Sequence, residues 1–170
     1  SNIHGITTER ARREGMPPVE ALQVIARLVD DAADRGIPLV IYNAPFDWPF
    51  LLAEVQRHGV PIGTPEIIDP LVMDRAVDRY RKGSRRLEAV AAHYRHDVGQ
   101  AHNARADAIA ATAIARAIAA RFPEVGDLTP RALQPLQVSW HAKHADNLSH
   151  HLGKPIEPGW PIPQTAEHLA

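Results

Sequence analysis

The stretch Pro38-Leu39-Val40-Ile41-Tyr42-Asn43-Ala44-Pro45-Phe46-Asp47-Trp48-Pro49-Phe50-Leu51 decides how the chain is read. Residues 38–42 are short, apolar and β-rich, the pattern of a buried strand. Residues 43–46 read as a turn, and a helix is predicted from about 47 to 58, stopped by Gly59. A carboxylate, Asp47, thus stands where a buried strand hands over to a helix. Ligands in open α/β sheets bind just outside the carboxyl ends of strands. The plainer role for Asp47 is a helix cap, or a first-turn acid offsetting the helix dipole. Phe46, Trp48 and Phe50 read as packing residues.

Outward from this stretch, Pro17 and Pro18 open an amphipathic helix over about 18–35. Leu22, Ile25, Leu28 and Ala32 recur on its predicted apolar stripe, and Gly36 sits at its end. A second strand is predicted at Ile67-Ile68-Asp69, with Asp69 placed to cap the next helix. Helices follow at about 70–80, 84–95 and 103–122, with Ser84 and Asn103 as N-caps. Thr129-Pro130 then starts a helix reaching about 152, where Leu133, Leu136, Trp140, Leu148 and Leu152 form a stripe. Pro135 is expected to kink or split it, and Gly153 ends it. The tail, 154–170, holds four prolines and is expected to be extended. The order of elements is α/β, but two strands are too few to bury these helices.

Composition narrows the function classes. The chain has 170 residues, enough for one domain, with 45% hydrophobic and 23% charged residues. Its formal net charge of −1 supplies no global basic field for nucleic acid, so any such partner must be met by local charge and a metal. There is no cysteine, which excludes disulfides and thiolate zinc sites and fits a reducing, cytoplasmic setting. No apolar run has the length of a membrane span, so no membrane partner is expected.

Four further groups could carry chemistry. His102-Asn103-Ala104-Arg105-Ala106-Asp107-Ala108 sets an acid among small residues, with a histidine just before the helix. An imidazole there can take a proton from water. Arg79, Arg81, Lys82, Arg85 and Arg86 can neutralise phosphates, or simply form a solvated loop. His4-Gly5-Ile6-Thr7 reads as a turn before a helix start. His141, His144, His150 and His151 suggest a metal-binding C-terminus, but His141 and His144, one turn apart, have no second defined pair, and solvated histidines are expected.

Taken in order, these pieces resemble the DEDDh family of 3′–5′ exonucleases, which includes the epsilon subunit of bacterial DNA polymerase III. The matching parts are His4-Gly5-Ile6-Thr7, Asn43 to Asp47, Ile68-Asp69-Pro70-Leu71, Lys82 to Leu87, and His102 with Asp107. The resemblance implies a ribonuclease H-like exonuclease fold and two divalent ions, Mg²⁺ or Mn²⁺. It implies that Asp47 and Asp107 are metal ligands and His102 the general base. His4, Gly5, Ile6, Thr7, Asn43 and Phe46 would border the 3′-terminal nucleotide of single-stranded DNA or RNA, with Lys82 and Arg85 nearby. A DNA polymerase is a candidate partner. Two ions about 4 Å apart stabilise the attacking and leaving oxygens of a phosphodiester, and such hard ions prefer carboxylate ligands.

The family's opening motif, an Asp-x-Glu on the first strand, occurs nowhere in the chain. The expected organisation is an N-terminally incomplete exonuclease domain over 1–123, a helical extension over 124–153, and a Pro-rich tail over 154–170. The missing strands are expected from upstream sequence or another chain. Alone, two carboxylates should hold two ions poorly and give little activity. The alternative is a non-catalytic module, binding nucleic acid or a polymerase, on the same scaffold.

Overall fold

The computed structural model describes residues 6–98 and 104–164. Its elements are α1 (Thr8–Glu14), α2 (Pro18–Asp34), β1 (Leu39–Val40), α3 (Ala44–Arg57), β2 (Ile67–Ile68), α4 (Pro70–Val77), α5 (Leu87–His93), α6 (Ala104–Arg121), α7 (Pro123–Gly126) and α8 (Pro130–Leu152). The two strands pair in parallel, Leu39 opposite Ile67 and Val40 opposite Ile68, with α3 as the crossover. Leu39 and Ile41 donate their N–H groups to the carbonyls of Glu66 and Ile68, at 2.8 and 3.0 Å.

Alternation along the strands sends neighbouring residues to opposite layers. Leu39, Ile41 and Ile67 pack with Val29, Ala44, Trp48, Val72 and Trp160. Val40, Tyr42 and Ile68 face the other way, onto Met73, Val90, Ile114, Ile118 and Leu133. Helix α6 reaches this second layer closely because its buried line includes Ala110, Ala111 and Ala115. The arrangement is a small α/β sheet inside a mostly helical body.

The α2 stripe is rotated from its predicted position. Leu22, Ala26 and Val29 are buried, whereas Ile25 is 39% and Leu28 is 65% exposed. Both assignments have helical spacing. The choice falls to α3, whose Leu51 and Val55 pack on Leu22 and Ala26. Ser84 is not a helix cap: α5 begins at Leu87, and the Ser84 hydroxyl accepts from Arg86 N–H in the preceding turn. The predicted cap Asn103 lies outside the described residues.

Helix α8 runs unbroken through Pro135, so the expected split does not occur. A proline in the second turn removes one backbone bond, and Leu133 and Gln137, both buried, hold the helix on either side. Thr129 caps it, accepting from Ala132 N–H at 3.2 Å. Its inward line is Leu133, Gln137 and Ala145. Leu152, assigned to the stripe from sequence, is half exposed.

The buried Gln137 explains that line. Its Oε1 accepts from Asp69 N–H at 2.7 Å and its Nε2 donates to the Ile67 carbonyl at 2.8 Å. Gln134 does the same one turn earlier, accepting from Ile67 N–H and donating to the Ile67 carbonyl. Two glutamines therefore stand in for a strand along the outer edge of β2, satisfying groups that would otherwise invite pairing.

The tail is not simply extended. Ile156 N–H bonds the Ser149 hydroxyl, the Pro158 carbonyl meets His141 Nδ1 at 3.2 Å, and Trp160 is buried against the sheet.

Candidate active site

Asp69 organises the ground under the site. It is fully buried at the end of β2. Its Oδ1 accepts from Asn43, Leu71 and Val72 N–H at 3.0, 3.0 and 3.4 Å. Its Oδ2 accepts from Ala44 N–H at 2.9 Å and from Trp160 Nε1–H at 3.2 Å. Burial raises this carboxyl above the usual range, and the N–H donors oppose that shift. Asn43 makes the geometry possible by adopting a left-handed conformation, φ 68 and ψ 54. Asparagine tolerates that region better than most residues. Asp69 thus caps α4, as its sequence position suggests, and also the start of α3 from across the sheet.

That second cap settles one reading of Asp47. Helix α3 begins at Ala44, so Asp47 is inside its first turn and is not its cap. Among the described residues its carboxylate has no hydrogen bond or ion pair. It stands at the surface with its pKa raised, first by partial loss of water and then by the charge of Asp69. Phe46 and Phe50, on either side, are 72% and 63% exposed, so the expectation that both pack is overturned. Trp48 packs as expected. With α3 starting at 44, Trp48 and Pro49 fall on the inward face and the two Phe rings on the outward one.

Asp107 lies in the first turn of α6, and its Oδ1 is buried without a hydrogen-bond partner among the described residues. His102, His4 and Gly5 lie outside the described residues. Ile6 is exposed, and Thr7 caps α1 by accepting from Arg10 N–H at 3.1 Å. Among the described residues no group of three or more His, Asp or Glu is arranged to hold a metal. The oxygen-donor chemistry of Asp47 and that of Asp107 each suit a hard divalent cation. One is held against a neighbouring negative charge and the other has an orphaned buried oxygen, and a cation relieves both.

The basic segment divides. Arg85 is engaged internally rather than presented to a phosphate. Its guanidinium donates to Asp74 Oδ2 at 2.6 Å and to the carbonyls of Asp74, Asp78 and Arg81. Arg81 Nη2 joins the same Asp74 oxygen at 2.8 Å, and Tyr94 donates to the other at 3.1 Å. Asp74 is fully buried, so it needs these partners. Sequence reading missed Asp74. The signal was an acid inside the apolar run Leu71-Val72-Met73, followed by unusually dense arginine. Arg79, Lys82 and Arg86 remain exposed.

The C-terminal histidines are not uniformly solvated. His150 and His151 are exposed, but His144 is partly buried, its pKa lowered to about 4 by lost solvation and by nearby Arg75.

Residues 1–115 match the family RNase_T, described as exonuclease. No curated protein and no solved structure matches the chain. No helix among the described residues is long and apolar enough to cross a membrane.

Proposed function

The chain belongs to the RNase_T exonuclease family, and from that membership we propose that it is a metal-dependent nuclease acting at the 3′ end of DNA or RNA. The same membership supports a ribonuclease H-like arrangement, with β1 and β2 as two strands of a larger sheet. Asp47 and Asp107 would hold Mg²⁺ or Mn²⁺. Such ions, when bound, stabilise charge on the attacking and leaving oxygens and acidify water. His102 takes the proton from the attacking water as general base. Phe46 presents its exposed ring to the terminal base, and Asn43 and the His4-to-Thr7 segment border the terminal nucleotide. Lys82 meets phosphate, while Arg85 acts indirectly by holding the turn before α5.

The observation that carries this reading is the orphaned, buried Oδ1 of Asp107. A carboxylate oxygen without a donor is costly unless something cationic completes it. With only these two of the family's four acids in the sequence, the chain by itself should bind ions weakly and cut slowly. Two measurements test the proposal. Mn²⁺ should broaden the nuclear magnetic resonance signals of Asp47 and Asp107 before those of other acids. At high protein concentration, residual cleavage of 3′-labelled single strands should vanish with chelator and with Asp107→Asn. Degradation that persists in chelator, or Mn²⁺ that spares both aspartates, sinks the reading. Retention of labelled strands without cleavage, even at saturating Mn²⁺, would favour a non-catalytic binding module. The absence of an Asp-x-Glu from the sequence is what keeps that second reading in view.

A further inference from the structure

A cavity of about 310 Å³ lies between the second half of α4 and the middle of α8, and neither Asp47 nor Asp107 lines it. Arg75 enters from α4 and Arg79 from the turn just after it, Lys143, His144 and Asn147 enter from α8, and Trp140 supplies a wall. Its charge is lopsided. Among the described residues Arg75, Arg79 and Lys143 make no ion pair. The one lining acid, Asp146, lies 3.5 Å from His150 Nε2 with both side chains largely in solvent.

Arg75 is the most telling of these. Its Nε is buried and has no hydrogen-bond partner among the described residues. The buried acids near it are committed elsewhere: Asp74 to Arg81, Arg85 and Tyr94, and Asp69 to its N–H donors. A buried guanidinium donor left open beside a cavity marks a place for an anion. His144 adds no positive charge near neutral pH, so it serves as a hydrogen-bonding group. The volume is at the lower end for small-ligand sites, and greatly exceeds what one inorganic anion needs.

We propose that this cavity binds a small phosphate monoester carrying a planar ring, the chemistry of a nucleoside monophosphate. The phosphate meets Arg75, Arg79 and Lys143, and the ring lies against Trp140. The inference stands on the cavity alone and does not require the chain to be a nuclease.

The test is calorimetric titration of the whole 170-residue chain in chelator, with adenosine monophosphate and, separately, inorganic phosphate. The monophosphate should saturate one site and bind about tenfold more tightly than phosphate. Arg79→Gln and Lys143→Gln, both surface changes, should each weaken it about tenfold with the melting temperature unchanged. Asp47→Asn should leave it as in the parent, which separates this cavity from the candidate active site. No saturable heat, equal affinity for the two probes, undiminished binding in the two variants, or loss with Asp47→Asn overturns the proposal.

Discussion

Asp69 is ringed by N–H donors, so its surroundings fit the ionised carboxylate, while Asp47 stands close by with no donor among the described residues. The sign of the Asp47 shift makes a prediction. A carboxyl whose folded pKa is raised contributes most to stability below its unfolded value, near 3.8, and that contribution is lost as pH rises through the folded pKa. At neutral pH the charged Asp47 therefore works against the fold. Asp47→Asn should leave the melting temperature at pH 7 unchanged or slightly higher, while removing metal binding. His144 runs the other way. Unfolded, it takes a proton near 6.5; folded, it resists until about 4, facing Arg75, Arg85 and His141, with Lys143 and Asp146 beside it on α8. Its contribution is whole above 6.5 and is lost as pH falls through 4. His144→Gln should flatten the loss of stability between those pH values in urea titrations. Asp47 and Asp107 stand out in the sequence as candidates because each follows a signal that reads locally, a strand end or a run of small residues. The pairing of Asp74 with Arg85 does not, since it is fixed only when the loop between them folds.

Helix α8 shows where local pattern stops informing. Its cap, Thr129, and its last turn before Gly153 were readable, because caps depend on a few neighbouring residues. Its partner was not. A leucine stripe predicts an apolar seam, yet the centre of contact is Gln134 and Gln137 against β2. Nothing in the sequence near 137 states that a strand edge 70 residues earlier needs donors and acceptors. The same limit applies to α2, where two helical stripes compete and only α3 decides between them. Gln137→Leu keeps the volume but leaves the Asp69 N–H without an acceptor. It should cost about 2–3 kcal/mol in denaturant unfolding. It should also make the protein associate with rising concentration, since the β2 edge is partly uncovered.

At the scale of the whole molecule, the sheet is gathered from far apart in the chain. Trp160 lies 91 residues from the Asp69 it bonds, and its ring fills the layer that also holds Trp48 and Ala44. The tail therefore belongs to the core, which its proline content disguised. Trp160→Ala should cost about 3–5 kcal/mol, as for other buried aromatic truncations. Amide exchange at Asn43 and Ala44 should quicken beyond the global change, because both share the carboxylate that Trp160 helps to hold. The distance along the chain also sets a schedule. A ribosome adding about 5–20 residues each second takes roughly 5–18 seconds to travel from the first partner to the second. Throughout that interval Asp69 lacks its indole donor, and for most of it the glutamines that cover β2 have yet to be made. The turn carrying Asp47 can thus reach its final form only after Trp160 has left the ribosome, which postpones an exposed, charge-bearing turn until the segments that brace it exist.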